Sequence, residues 1–130
     1  MASMVRDAVV KFTRELFAKL VIRSVSDTAI RINDEEYSNS VALTPKDILG
    51  DWPSTPIAAL TIADFAEIFE AKPEIVLLGT GSSNVFPPRE LTFAFARHGV
   101  GLEVMDTAAA ARTFNVLANE SRRVAAVLYL

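Results

Sequence analysis

Short apolar runs alternate with amphipathic segments through the second half of the chain, and this alternation limits the fold more than any other feature. The runs 75–78, 102–105 and 124–130 each have the length and composition of a buried strand. The predicted helices between them, about ten to twelve residues each, have helical spacing. Strand–helix–strand units of this kind form right-handed crossovers in a largely parallel sheet with both faces covered.

The predicted helices carry recognisable start and stop signals. Thr61 and Asp64 have capping-box spacing at the first helix. Pro88 suits the opening turn of the second, and Gly99 suits the left-handed residue that closes it. The apolar stripes are Ile62, Phe65, Ala66 and Phe69 in the first helix, and Leu91, Ala94, Phe95 and His98 in the second.

The first half has other periodicities. Residues 5–20 have the spacing of an amphipathic helix, which either packs on its own domain or docks a partner chain. The alternating residues 30–32, the turn residues 33–36 and the alternating run 37–43 then predict a small antiparallel unit. An irregular connection follows, in which Trp52 is an apolar anchor. The predicted fold is therefore a three-layer α/β/α domain with a mixed central sheet and an N-terminal antiparallel β unit.

Composition excludes several classes of function. The chain has no cysteine and one histidine, which excludes disulfides, thiolate zinc sites and multi-histidine metal centres. Its 13 basic and 16 acidic residues give a net charge of −3, without the basic surplus of nucleic-acid-binding proteins. No stretch has the roughly 18–20 apolar residues of a transmembrane helix, and the charged start does not resemble a signal peptide. We expect one cytoplasmic domain without a cofactor, a metal or a nucleic-acid partner.

The loop 79–84 is the first candidate ligand site, because sites in open α/β sheets form beyond the C-terminal ends of parallel strands. Gly79 and Gly81 allow a sharp turn around Thr80, which would present backbone N–H groups beside Ser82 to an anion. The loop is neither a Walker loop nor a dinucleotide fingerprint. The alternative is a plain connector.

The loop into the third predicted helix is the second candidate. Asp106 and Thr107 stand at the helix start, and Arg112 and Asn115 lie three residues apart on one face. With the glycine loop they would form a polar rim around a small pocket. The alternative assigns Asp106 to a helix cap, Arg112 to solvent and Asn115 to a local hydrogen bond.

Nucleophilic catalysis has little support. Ser82 or Ser83 could be combined with His98 and Asp106 as a triad, but these residues match no nucleophile elbow. His98 directly precedes Gly99 at a predicted helix C-terminus, where the helix dipole favours histidine. We therefore predict no catalytic residue and no metal ligand.

Five segments, in order along the chain, resemble one known family. They are Leu77-Leu78-Gly79-Thr80-Gly81, Pro87-Pro88, Gly101-Leu102-Glu103-Val104-Met105-Asp106-Thr107, Arg112-Thr113-Phe114-Asn115-Val116-Leu117 and Glu120-Ser121-Arg122-Arg123-Val124. Together they resemble the MTH-938-like domain family, also called domain-of-unknown-function family 498. The resemblance covers residues 20–130 as a single domain, and residues 1–19 lie outside it as a helix or extension.

The resemblance implies a compact α/β/α domain and no known reaction. Bacterial members have no established activity, and a mitochondrial member, complex I assembly factor 3, acts in respiratory complex assembly. The family's signature positions fall on Gly79, Thr80, Gly81, Asp106, Thr107, Arg112 and Asn115.

Two classes of function follow. The favoured one is a non-enzymatic binding or assembly-type module with a protein partner, because no nucleophile–base or metal set can be built. The alternative is a domain that binds a small anionic ligand, or a weak enzyme, using the loop 79–84 with Arg112 and Asn115. The sequence leaves the oligomeric state open.

Overall fold

The computed structural model describes residues 20–130, in which two β-sheets are combined with three α-helices. The helices are α1 (Ala66–Glu70), α2 (Arg89–Arg97) and α3 (Thr107–Asn119). The strands are β1 (Ile22–Val25), β2 (Ile30–Ile32), β3 (Glu35–Tyr37), β4 (Val41–Leu43), β5 (Ile48–Asp51), β6 (Ile75–Gly79), β7 (Gly101–Met105) and β8 (Val124–Leu128). Two 3₁₀ helices, Ile57–Ala59 and Ile62–Phe65, precede α1. The helix predicted near the start of the chain lies outside the described residues, apart from its last residue.

The larger sheet has five strands in the order β5-β4-β8-β6-β7. Strand β6 is parallel to β7 and β8, whereas β4 is antiparallel to β5 and β8. The chain crosses from β6 to β7 through α2 and from β7 to β8 through α3. The mixed sheet and the α/β fold class predicted from the sequence are confirmed.

The N-terminal antiparallel unit is confirmed as well, although its strands differ from the prediction. Strands β1, β2 and β3 pair in one three-stranded sheet. Only Asn33 and Asp34 form the turn between β2 and β3, and Asn33 adopts a φ of 52°. The run 37–43 does not continue as one strand, because the chain leaves the small sheet and enters the large one as β4.

Strand β5 lies where an irregular connection is predicted. Pro45 and Gly50 are typical of turns, which explains the wrong prediction. In the structure, Gly50 has a φ of 126° beside an irregularity in the pairing of β5 with β4. Because β5 is at the edge of the sheet, it tolerates a glycine and a bulge that a central strand would not.

Helix α3 covers one face of the large sheet, and the small sheet packs against α3. Phe114 of α3 is fully buried there with Leu77 of β6 and with Ile30 and Ile32 of the small sheet. Residues adjacent to Leu77 in β6 face the opposite core. Both faces of β6 are thus buried, which explains its uninterrupted apolar run.

Aromatic side chains fill the core on the other face of the sheet. Phe65 lies 5.1 Å from the buried Trp52 and 5.0 Å from Phe95 of α2, measured between ring centroids. The predicted apolar stripe of the first helix is wrong in one respect, because Ile68 is buried and Ala66 is exposed. The first turn is a 3₁₀ helix with three residues per turn, so the buried position shifts along the chain.

The predicted helix start signals are confirmed. The Thr61 N–H donates to the Asp64 carboxylate at 2.8 Å, and Pro88 directly precedes α2. At α3, Asp106 Oδ1 accepts a hydrogen bond from the Ala109 N–H at 2.8 Å. Each bond satisfies a backbone N–H that the helix geometry leaves without a partner.

Each of the three described α-helices is followed by a turn in which one residue has a positive φ. Gly99 provides it after α2 with a φ of 70°, as predicted from the sequence. Lys72 provides it after α1 and Ser121 after α3, with φ values of 53° and 61°. A residue with a Cβ atom is less stable in this conformation by about 1–2 kcal/mol. Two of these turns therefore hold a residue less suited than glycine.

We expect Ser121→Gly to raise the free energy of unfolding by about 0.5–1 kcal/mol, because glycine adopts this φ without strain but orders a more flexible residue on folding. Urea denaturation measures the change. Ser54→Gly is the matched control, because Ser54 is exposed and its φ is not positive. A decrease in stability for Ser121→Gly as large as that for Ser54→Gly would contradict the expectation.

Candidate functional site

The candidate site lies at the C-terminal ends of β6 and β7, where the chain reverses its direction of crossing. The loop after β6 leads to α2 on one face of the sheet, and the loop after β7 leads to α3 on the other. Loops that diverge in this way leave a crevice between them, which is the usual ligand position in open α/β sheets.

A cavity of about 460 Å³ occupies this crevice. Its lining residues are Val25, Ser26, Asp27, Thr80, Gly81, Ser82, Ser83, Asp106, Thr107, Ala108, Tyr129 and Leu130. The structure thus brings together Thr80, Gly81, Ser82, Asp106 and Thr107 from the predicted site.

The Thr107 side chain is buried and joins three elements at the base of the cavity. Its Oγ1 accepts a hydrogen bond from the Gly81 N–H at 2.8 Å and donates one to the Tyr129 carbonyl at 2.6 Å. Its own N–H donates to the Gly81 carbonyl at 2.9 Å. The N–H of Gly81, which was predicted to bind an anion, is therefore already hydrogen-bonded within the protein.

The Thr80 side chain holds the first part of the loop between β6 and α2. Its Oγ1 donates to the Ser83 carbonyl at 2.6 Å and accepts the Val85 N–H at 3.0 Å. The Thr80 N–H donates to the Met105 carbonyl at the end of β7 at 2.9 Å. A nearly buried hydroxyl therefore sets the path of the loop as far as Val85.

Gly79 contributes to the site through packing and does not line the cavity. A Cβ atom at this position would lie 2.9 Å from Thr107 Cα and 3.1 Å from Ala110 Cβ. Glycine is therefore needed so that the start of α3 can approach the end of β6. This close approach also brings Thr107 within hydrogen-bonding distance of Gly81.

The charges of the cavity oppose the predicted anionic ligand. Asp27 and Asp106 contribute carboxylates, and none of the lining residues is basic. The Asp106 carboxylate also occupies the N-terminus of α3, where backbone N–H groups would otherwise attract an anion.

Arg112 and Asn115 do not reach the cavity, so the predicted polar rim is not formed. Asn115 instead connects α3 to β1, because its Oδ1 accepts the Ile22 N–H at 3.0 Å and its Nδ2 donates to the Ile22 carbonyl at 2.9 Å. Arg112 is exposed on α3. Helix α3 begins with Thr107 beside the cavity, and Arg112 and Asn115 lie further along the helix, away from the cavity.

His98 lies at the end of α2, far from the residues with which it could form a triad. The start of α2, not its end, adjoins the loop that carries Ser82 and Ser83. The His98 ring stacks on Phe69 with 5.0 Å between centroids, and its Nδ1 is 2.8 Å from the Ala94 carbonyl. Across residues 20–130, no group of three or more His, Asp or Glu side chains could hold a metal ion.

Several lining residues were not predicted, because they come from distant parts of the chain. Val25 ends β1, Ser26 and Asp27 lie in the turn between β1 and β2, and Tyr129 lies in the segment after β8. The Tyr129 hydroxyl accepts the Trp52 Nε1–H at 2.9 Å and donates to the Thr55 carbonyl at 2.7 Å. Burial raises the pKa of Tyr129 above the ordinary value of a phenol. No local pattern of residue types predicts that these residues line the cavity.

The loop between β6 and α2 also carries exposed apolar side chains that were not predicted as functional residues. Phe86 is 75% exposed and Val85 is 42% exposed. Their only local signal is a pair of apolar residues within a polar loop. Phe93 on α2 and Val116 on α3 are exposed as well, at 54% and 58%.

A second cavity, of about 450 Å³, lies at the opposite end of the sheet. Lys46, Arg122 and Arg123 are among its lining residues. The exposed Arg122 pairs with Glu74 at 2.8 Å, and this hydrogen bond lowers the pKa of the Glu74 carboxyl. The loops that carry the predicted site residues lie at the other end of the strands, so this cavity is separate from the candidate site.

Comparison with known proteins identifies the family. Residues 22–129 match the family model described as a protein of unknown function, DUF498/DUF598. The chain belongs to the DUF498 family. The resemblance predicted from five sequence segments is therefore confirmed.

Two relatives with different names are similar in sequence to this chain. The zebrafish protein (Danio rerio) called NADH dehydrogenase (ubiquinone) 1 alpha subcomplex assembly factor 3 is 30% identical over 117 residues, which are 88% of this chain and 67% of the relative. A Francisella tularensis protein called 13 kDa major membrane protein is 29% identical over 98 residues, 75% of this chain and 80% of the relative.

Solved structures of bacterial proteins have the same fold. A Bordetella parapertussis protein is 34% identical, with a TM-score of 0.79 over 86% of this chain and 96% of the other. A Xanthomonas campestris protein is also 34% identical, with a TM-score of 0.77 over 85% and 83% of the two chains. A Bordetella pertussis protein described as a Mth938-like domain has a TM-score of 0.72 at 29% identity, covering 86% of each chain.

The cytoplasmic location predicted from the sequence stays a prediction. No helix among residues 20–130 combines the length and apolar character that crossing a lipid bilayer requires. The Francisella relative is nevertheless named a membrane protein.

We expect Gly79→Ala to lower the free energy of unfolding by about 1–3 kcal/mol, because the added methyl group would overlap the start of α3. Urea denaturation measures this loss. Gly101→Ala is the matched control in the neighbouring strand, because its nearest atoms would lie 3.7 Å from the new Cβ. Equal effects of the two substitutions would contradict the packing role of Gly79.

Proposed function

We propose that this protein is a non-enzymatic binding module of the assembly type, and that it contacts a partner protein through the loop between β6 and α2. One observation carries the proposal. Phe86 is 75% exposed on a loop whose preceding residues are held by hydrogen bonds to Thr80. We call Val85 and Phe86 the loop tip.

Burial of the loop tip against a partner supplies a driving force for association. Burying a phenylalanine side chain is worth about 1.5–3 kcal/mol relative to leaving it exposed. Aromatic residues are also enriched among the few residues that dominate protein–protein binding energies. Phe93 adds a second exposed aromatic side chain on the helix that the loop enters.

The hydrogen bonds of Thr80 support a binding role for the loop because they order it in advance. A segment that is ordered before binding loses less conformational entropy when the partner docks. Val85 is attached directly, since its N–H donates to Thr80 Oγ1 at 3.0 Å. The loop tip can therefore bind without a large rearrangement of the chain.

The chemistry of the site favours binding over catalysis. The hydroxyls of Thr80 and Thr107 bond to backbone groups of the protein, and His98 lies beyond the reach of Ser82. The name of the zebrafish relative, an assembly factor, supports the same class of function for this chain. The acidic cavity gives no comparable support to the anionic-ligand alternative.

Site-specific photocrosslinking tests the proposal. The photoreactive residue p-benzoylphenylalanine replaces Phe86 in the chain expressed in its source cell, and Val116 is replaced in the matched control. Val116 is exposed to a similar extent on a different surface, the outer side of α3. We expect a discrete, ultraviolet-dependent protein adduct from position 86 that position 116 does not give.

Mass spectrometry of the adduct then identifies the partner segment. As a second readout, Phe86→Ser should reduce recovery of that identified partner at least about tenfold, since a hot-spot aromatic contributes 2 kcal/mol or more. The melting temperature of the Phe86→Ser variant should remain close to that of the unchanged protein, because the Phe86 side chain is exposed. Identical adducts from positions 86 and 116 would contradict the proposed surface.

A further inference from the structure

We infer that the cavity beside the loop tip receives a lysine or arginine side chain of the partner, next to an apolar residue that covers Phe86. This inference rests on the proposed function and names the chemistry of the partner at the same surface. It predicts a basic–apolar segment as the occupant and excludes an acidic one.

The loop between β6 and α2 lines the cavity with its first residues and carries the loop tip after them. Thr80, Gly81, Ser82 and Ser83 line the cavity. The Val85 N–H lies 3.0 Å from Thr80 Oγ1, so the exposed apolar residues begin directly beside the lining. A partner segment that covers Phe86 is therefore within reach of the cavity with its neighbouring side chains.

The charge of the lining selects the sign of the side chain. Asp27 and Asp106 are the ionisable acidic residues of the cavity, and no lysine, arginine or histidine lines it. Asp106 Oδ1 is engaged with the Ala109 N–H and offsets the positive end of the α3 dipole. The second carboxylate belongs to Asp27, which is exposed in the turn between β1 and β2. Charge complementarity therefore favours a cation at this surface.

The other lining groups suit a long basic side chain. Val25 and Leu130 offer apolar surface to its methylene stem, and the hydroxyls of Ser82 and Ser83 offer hydrogen-bond acceptors to its charged head. The volume of about 460 Å³ lies within the range of small-ligand pockets, so one side chain can enter without expanding the fold.

Capped tripeptides and nuclear magnetic resonance of the full chain test the inference. The probes are acetyl-Leu-Arg-Leu-amide and the same peptide with citrulline or glutamate at the centre. Citrulline keeps the shape of arginine but is uncharged. We expect saturable shifts of the Gly81, Ser82 and Ala108 amides, with the arginine peptide binding at least about threefold more tightly than the citrulline peptide. The glutamate peptide should bind more weakly than both.

Two variants connect this preference to the cavity. Asp27→Asn should abolish the difference between the arginine and citrulline peptides. Asp34→Asn removes the same charge from the exposed turn between β2 and β3, and the difference should persist. Asp27 is exposed, so the variant should remain folded, which its spectrum verifies directly.

Three results would overturn the inference: no binding of the arginine peptide, equal binding of all three peptides, or a preference for arginine that survives Asp27→Asn. The photocrosslink at position 86 does not depend on charge. An adduct at position 86 together with unselective peptides would contradict the cation site and leave the proposed function standing. The lack of a specific adduct would contradict the proposed function itself, and with it this inference.

Discussion

The hydroxyl of Thr107 is the interaction on which the candidate site depends. It accepts a hydrogen bond from the Gly81 N–H at 2.8 Å and donates one to the Tyr129 carbonyl at 2.6 Å. One buried atom thus joins the loop after β6, the first turn of α3 and the segment after β8. Gly79 makes this possible, since any Cβ there would push α3 away. The shape of the cavity follows from backbone packing more than from its charged side chains.

This arrangement explains why two backbone N–H groups at a typical ligand position are not free to bind an anion. In many α/β folds, free N–H groups at such a loop bind phosphate. Here Thr107 pairs with the Gly81 N–H and Asp106 pairs with the Ala109 N–H. The loop exposes its apolar tip to solvent beside the polar residues Ser82, Ser83 and Asn84. A surface that combines satisfied polar groups with an exposed aromatic side chain is suited to recognising another protein.

The sequence predicted those parts of the fold whose signals are local. Gly99 and Pro88 mark the ends of α2 correctly, and the apolar run of β6 indicates a strand buried on both faces. The partition of residues 37–43 between two sheets could not be predicted, because alternation reveals exposure but not which strand lies beside it. The site shows the same limit. Thr80 and Thr107 could be predicted because they follow the ends of parallel strands. Asp27 and Tyr129 could not, because only tertiary packing brings them to the same cavity.

The exposure of Phe86 on an ordered loop depends on Thr80 and Thr107, whose hydroxyls hold that loop in place. Native-state hydrogen exchange of the Gly81 and Val85 amides tests this most directly, because each N–H donates to one of these hydroxyls. We predict that both amides exchange at least about a thousandfold more slowly than in an unstructured peptide, as in a segment that opens only with the surrounding structure. Exchange of both amides at the rate of an unstructured peptide would contradict the claim.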